Sequence, residues 1–174
     1  AELETRIAQL EHGAGAIAFA SGSVAMMTVF QALSSGDHVL MPDNIYFGIR
    51  VMLQEIFVPW GLQATFVDMT DLDKVKDAMQ SNTRLVVMET PSNPQLKITD
   101  IRAVAEIAHN AGAYALCDNT IATPILQRPL DLGCDFVVHA TTKYLGGHSD
   151  VMGGVVVGNP DNGLFQRIQR IQKL

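Results

Sequence analysis

Asp135-Phe136-Val137-Val138-His139-Ala140-Thr141-Thr142-Lys143 passes from an acid through an apolar run to a lysine. Its apolar residues follow one another instead of alternating with polar ones, which is the pattern of a strand covered on both faces. Six other short runs read the same way: Ala16-Ile17-Ala18-Phe19-Ala20, His38-Val39-Leu40-Met41, Ala64-Thr65-Phe66-Val67-Asp68, Arg84-Leu85-Val86-Val87-Met88, Tyr114-Ala115-Leu116-Cys117 and Gly153-Gly154-Val155-Val156-Val157. Helical spacing fills most of the gaps. It is carried by Leu3, Ile7 and Leu10, by Met26 to Leu33, by a region from Asn44 to about Phe57, by Asp71 to Met79, by Ile101 to Ala108, and by Leu164 to Leu174. Gly112 supplies a stop after the fifth of these, and Asp71 sits at the positive end of the fourth. The stretch around Pro124 and Pro129 reads as irregular. The expected fold is α/β, a three-layer domain on a mostly parallel seven-stranded sheet. Long crossovers favour parallel order, while the direction of the seventh strand stays open.

The 174 residues suffice for one substantial core and not for two. A hydrophobic fraction of 48% with only 17% charged residues excludes a disordered chain. The formal charge of -6 argues against broad binding to nucleic acid or to an acidic membrane, but leaves room for a local anion pocket. No apolar run approaches the ~18 residues of a spanning helix, and the first residues do not read as a targeting segment, so the expected location is cytoplasmic. Cys117 and Cys134 form no paired-cysteine motif and are expected to be reduced structural thiols.

Three separated elements suggest one site. Lys143 lies just beyond a strand, where an amine can condense with a carbonyl; position alone favours a surface or phosphate-binding lysine. Asp118 ends another strand and can hold a protonated ring nitrogen or merely cap a turn. Ser21-Gly22-Ser23 leads from a strand into a helix, whose first amides can receive a phosphate, although the same tripeptide makes a plain N-cap. Strand ends of an open α/β sheet converge on one crevice, which favours taking the three together. Glu89 stands at a strand end without a visible partner and is left out of this set. His139, His148 and Cys134 lack zinc spacing and read as core or loop hydrogen-bonding groups. Gly13-x-Gly15 precedes the first strand and so is no dinucleotide fingerprint.

At this point the sequence resembles the Cys/Met-metabolism pyridoxal-phosphate enzymes, which include cystathionine synthases and lyases. The resemblance runs through Phe19-Ala20-Ser21-Gly22-Ser23, Tyr46-Phe47-Gly48, Glu89-Thr90-Pro91-Ser92-Asn93-Pro94, Asp118-Asn119-Thr120, Thr123-Pro124, Leu126-Gln127-Arg128-Pro129-Leu130 and Thr142-Lys143-Tyr144-Leu145-Gly146-Gly147-His148-Ser149-Asp150. It implies the large domain of a fold-type I enzyme. Lys143 would hold pyridoxal 5'-phosphate covalently and move protons, Asp118 would support the ring nitrogen, and Tyr46 would stack on the ring. Asn93 would lie beside the ring oxygen, while Ser21, Gly22, Ser23 and Thr142 would hold the phosphate. Where the family commonly has Met, this chain has Ser23; where it often has Ser, the chain has Ala140, which offers no hydroxyl.

The chemistry implied is elimination or replacement on cystathionine or other sulfur-containing amino acids, or on activated homoserines, by a homo-oligomer that is a tetramer in the full protein. Gly48 stands near a position where methionine-cleaving relatives carry Cys. This favours transsulfuration, with an O-acyl-homoserine sulfhydrylase, a methionine gamma-lyase and an inactive cofactor-binding or assembly fragment as the alternatives. Compared with full members, residues 1–174 match the central cofactor-binding domain. They lack the N-terminal arm that contributes Tyr and Arg to a neighbour's phosphate site, and the C-terminal domain whose Arg binds the substrate carboxylate. By itself the chain is therefore expected to be weakly active or inactive.

Overall fold

A computed structural model describes residues 2–174. The seven expected strands all form. They are β1 (Gly15–Phe19), β2 (His38–Pro42), β3 (Gln63–Val67), β4 (Thr83–Glu89), β5 (Tyr114–Asp118), β6 (Phe136–Ala140) and β7 (Gly154–Gly158). They make one sheet in the order β1-β7-β6-β5-β4-β2-β3. Neighbours from β6 to β3 are parallel, whereas β7 is antiparallel to both β6 and β1. That settles the direction of the seventh strand. It also aligns the carboxyl ends of β1, β2, β4, β5 and β6 along one edge, with the start of β7 among them.

Side chains alternate along each central strand, and both faces are dry. Val39, Met41, Leu85, Val87, Leu116, Phe136, Val138 and Val156 enter one core layer. Leu40, Val86, Met88, Ala115 and Cys117 enter another, and Val137, Val155 and Val157 a third. The first layer is covered by α2 (Gly22–Gln31), α3 (Phe47–Met52) and α8 (Gly163–Gln172). The opposite face is covered by α1 (Glu2–Leu10), α5 (Leu72–Ala78) and α6 (Ile101–Asn110). Burial on both faces of the period-2 backbone is why the runs read as continuously apolar.

Helix starts follow local chemistry. Ser21, Asp71, Asp100 and Asn162 each turn a side-chain oxygen onto the first free amides of α2, α5, α6 and α8. Gly112 follows α6 at φ +72°, as a stop requires. Three details depart from the sequence reading. Of the apolar stripe expected on α1, only Ile7 is buried, joined by Ala8, while Leu3 and Leu10 face solvent. The region after Asn44 becomes helical only at Phe47, passes through a π turn at Leu53–Phe57 and ends as the short helix α4 (Val58–Trp60). The stretch read as irregular contains α7 (Thr123–Leu126) and a 3-10 turn at Pro129–Leu132.

Candidate functional site

The Ser21 turn and the lysine segment meet at Ala140. β1 delivers Ser21-Gly22-Ser23 to the sheet edge beside the end of β6, and the fit there is tight. A Cβ on Gly22 would lie 2.7 Å from Ala140 Cβ and 2.8 Å from its Cα, so the side chain missing at Gly22 lets the turn close on the strand. Ser21 Oγ accepts from the Val24 amide at 3.2 Å. The amides of Gly22 and Ser23 occupy the first two positions of α2 and have no acceptor within the helix. The Lys143 amide donates to Ala140 O at 3.1 Å, and Lys143 O accepts from Gly147 N at 2.7 Å, so the lysine follows directly from the strand end. Its side chain is exposed. Thr142 Oγ1 accepts from Gly153 N at 3.2 Å, which pins the segment to the start of β7.

Asp118 is laced to the same point. Its Oδ1 accepts the Thr120 amide at 3.0 Å, and Thr120 Oγ1 accepts the Ala140 amide at 2.9 Å. The carboxyl keeps partial solvent access, yet the dense surroundings push its pKa up; the Thr120 bonds and nearby His139 oppose that rise. Behind it lies a buried polar network. Glu11 Oε1 meets His139 Nε2 and accepts from Asn119 Nδ2 at 2.7 Å, and Gln127 Nε2 joins Asn119 Oδ1 to Thr90 O, each at 2.9 Å. Glu11 and His139 are fully buried, and Glu11 Oε2 and His139 Nδ1 have no hydrogen-bond partner among the described residues.

Tyr46 and Asn93 lie in loops leaving β2 and β4, both with exposed side chains. Glu89 joins the two loops. Its Oε2 accepts the Tyr46 amide at 2.8 Å and its Oε1 the Asn93 amide at 3.0 Å. Buried at the end of β4 and in register with Asp118, it has its pKa raised to about 7 by burial and by the neighbouring carboxylate. The ring of Tyr46 rests over Gly48, where a Cβ would come within 2.7 Å of Tyr46 Cε1.

Lys143, Asp118, Ser21, Gly22, Ser23, Thr142, Tyr46 and Asn93 thus all sit along the carboxyl edge of the sheet. Hydrogen bonds or direct packing tie the first six to the β1, β5, β6 and β7 ends, while Glu89 ties the last two to β4. Sequence reasoning undervalued Glu89 because its partners are backbone amides, which carry no residue signature. For Glu89 the available signal was an acid at the end of an apolar strand; Thr120 and Glu11 offered none, and His139 was expected only as a core or loop hydrogen-bonding group. Both cysteines are buried, and burial pushes their thiols well above the ordinary range, so neither is a nucleophile at neutral pH. Among the described residues, no group of three or more His, Cys, Asp or Glu side chains is placed to hold a metal, and no helix is long and apolar enough to cross a membrane.

The family profile described as Cys/Met metabolism PLP-dependent enzyme matches residues 1–174. The chain is 47% identical to cystathionine beta-lyase MetC of Bacillus subtilis over 98% of its length and 43% of that protein's. It is 48% identical to cystathionine gamma-synthase of Mycobacterium bovis over 92% of its length and 42% of the relative's. The solved cystathionine gamma-lyase from Lactobacillus plantarum, complexed with L-serine, superposes with a TM-score of 0.94 at 44% identity, covering 98% of this chain and 44% of that one. The chain therefore spans less than half the length of each of these relatives.

Proposed function

The chain belongs to the Cys/Met metabolism PLP-dependent enzyme family, and from that premise we propose that residues 1–174 are the central cofactor-binding domain of a transsulfuration enzyme. In the full-length enzyme the reaction is elimination or replacement on cystathionine or activated homoserine substrates. One observation carries the reading: the Ser21–Ser23 turn and the Lys143 segment converge on Ala140, and Asp118 is bonded to the same residue through Thr120.

The donor set suits pyridoxal phosphate. The amides of Gly22 and Ser23 at the positive end of α2 match a phosphate, and the absent Cβ at Gly22 keeps that turn close to the lysine strand. Asp118 is an acid whose desolvation calls for a nearby positive charge, which a protonated ring nitrogen supplies. Lys143 offers an exposed amine. When bound, the cofactor supplies an electron sink for the carbanion formed as an amino acid loses its α-proton. The chain's own residues then have distinct tasks. Asp118 holds positive charge at the ring nitrogen, Tyr46 covers the ring plane, and Asn93 orients the ring oxygen. Thr142 and the α2 amides anchor the phosphate, and Lys143 Nζ holds the cofactor before turnover and carries protons during it.

Gly48, near a position where methionine-cleaving relatives carry Cys, supports transsulfuration over methionine cleavage, and a side chain there would press on the ring of Tyr46. Exposed apolar side chains on the loops leaving this edge, including Leu96, Ile98, Ile125, Leu126, Tyr144 and Met152, support a homo-oligomeric enzyme. The test is cofactor attachment. With pyridoxal phosphate the chain should develop visible absorbance, and borohydride should fix the cofactor on the Lys143 peptide; Lys143→Ala should lose both. Attachment elsewhere, or equal attachment to the variant, would refute the assignment.

A further inference from the structure

Glu89 lies outside the set of residues assigned above, yet it is the junction between two of them. Both carboxylate oxygens are in use, one on the Tyr46 amide and one on the Asn93 amide, and these residues belong to loops from different strands. A second link, Asn44 Nδ2 donating to Ser92 Oγ at 2.9 Å, ties the same loops together. An ionised carboxylate can accept both amides with full strength. A carboxylic acid has one hydroxyl oxygen, a poor acceptor, and holds one amide well.

The charges around Glu89 are one-sided. Asp118 faces it from β5, with the neutral Cys117 thiol beside that residue and His139 and Glu11 further behind. The two loops themselves carry Asp43, Tyr46 and Lys97, α3 carries Arg50, and the exposed Lys143 follows β6 on the same edge. Arg50 is committed to Asp43 O at 2.7 Å and to the Phe66 ring, and Lys97 to Asp68 at 3.1 Å. Among the described ion pairs none includes Glu89.

We propose that Glu89 is a positioning residue that couples positive charge at Asp118 to the seating of the Tyr46 and Asn93 loops. A ring cation held by Asp118 removes the repulsion between the two carboxylates, Glu89 gives up its proton, and both amides are then gripped. Cofactor binding thereby tightens the loops that cover the ring, and by linkage a deprotonated Glu89 favours cofactor binding. The inference rests on the cofactor reading above and adds a regulatory coupling to it. The sign of the pH effect is fixed. Glu89 has a raised pKa in the folded chain, so its contribution to stability is full below its ordinary value of 4.5 and disappears as pH rises through about 7. Cofactor affinity, in contrast, gains from Glu89 over that upper range.

The probe is pyridoxamine phosphate, which carries the ring nitrogen and phosphate but cannot condense with Lys143. Amide hydrogen exchange of the ligand-free chain reads the clamp by itself. Protection at Tyr46 and Asn93, relative to neighbouring amides, should rise between pH 6 and pH 8, and Glu89→Gln should lower at least one of them by about tenfold and flatten the rise. Calorimetry in buffers of different ionisation enthalpy reads the coupling. Wild type should release a proton near pH 7 on binding, and Glu89→Gln should release less. Equal proton release by both proteins, or protection independent of pH, overturns the proposal. Asp118→Asn is a second variant that serves even if Glu89→Gln does not fold: removing the facing charge should move the protection midpoint to lower pH, and an unmoved midpoint counts against the coupling. Absence of any binding by wild type would defeat the cofactor reading instead, a failure told apart because the exchange experiment contains no ligand.

Discussion

Gly154→Ala should damage the anion turn from the neighbouring strand. Gly154 opens β7, paired with Phe19 on one side and Ala140 on the other. A Cβ there would stand 2.2 Å from Ser21 O, 2.4 Å from Ser21 C and 2.6 Å from Gly22 N. All three atoms are backbone, so no side chain can swing aside, and ordinary contact at 3.4 Å requires the turn to retreat by about 1.2 Å. Overpacking of this kind costs about 1–3 kcal/mol, and the rigid neighbours place it at the upper end. Against this, alanine lowers the entropy of the unfolded chain by about 0.4–1 kcal/mol where its backbone conformation is acceptable, and Gly154 is not at positive φ. The net loss is about 2 kcal/mol, or about 4–8 °C in Tm for a domain of this size. Gly163→Ala is the control, since a Cβ there meets nothing within 4 Å. Urea and thermal unfolding of both variants, with pyridoxamine phosphate titrations alongside, measure the difference. Gly154→Ala should lose both stability and phosphate-ligand affinity while Gly163→Ala keeps both. Equal stability of the two variants would refute the contact argument, and a destabilised Gly154→Ala with unchanged affinity would refute the role of the turn.

Glu11→Ala removes the shared acceptor of the buried His139 ring and the Asn119 amide, and should cost about 3–5 kcal/mol in urea unfolding; a loss below about 1 kcal/mol would show that the network contributes little. Asp68 is held down to about 2, first by the Thr70 hydroxyl and amide and then by Lys97. Its contribution to stability is therefore present above its ordinary value of 3.8 and is lost as pH falls toward 2. Acid unfolding of Asp68→Asn should accordingly be flatter than wild type between pH 4 and pH 2. Lys97→Met should retain most of the wild-type slope, and its complete loss would reverse the assigned order of causes.

The strands were legible because both faces of each are buried, so Val86 and Val87 are apolar for the same reason though they point into different layers. Helix starts were legible where a side chain caps its own chain, as at Ser21 and Asp71. The direction of β7 was not, because nothing local distinguishes a strand returning between β1 and β6 from one added at an edge. Leu3 and Leu10 misled for a related reason: helical spacing identifies a stripe but not how much sheet is available to cover it. In the candidate site, Lys143 and Asp118 stood out as polar residues at the ends of apolar runs. Glu89 had the same signature and was passed over because its partners are main-chain amides, which every residue possesses. The buried pair of Glu11 and His139 joins residues 128 apart in the chain, a separation that only the folded sheet brings to contact.

That buried chemistry also bears on why the site should take a cation at its base. Glu89, Asp118 and Glu11 bring three carboxyl groups beneath the carboxyl edge, and a single imidazole, His139, stands among them. Burial penalises the ionised forms of Glu89 and Asp118, which also face each other across adjacent strands. Protons relieve the strain at low pH, which is the direction in which Glu89 and Asp118 are both shifted. At neutral pH the same relief can come from a positive group seated against Asp118, and a protonated pyridine nitrogen would deliver that charge. The α2 terminus, several residues away on the same edge, attracts the opposite charge. A ligand with a cationic ring and an anionic tail answers both fields, whereas a simple dianion answers only the second. Separating the two is direct: inorganic phosphate should compete for the turn without altering the exchange of the Tyr46 and Asn93 amides, while pyridoxamine phosphate should change both.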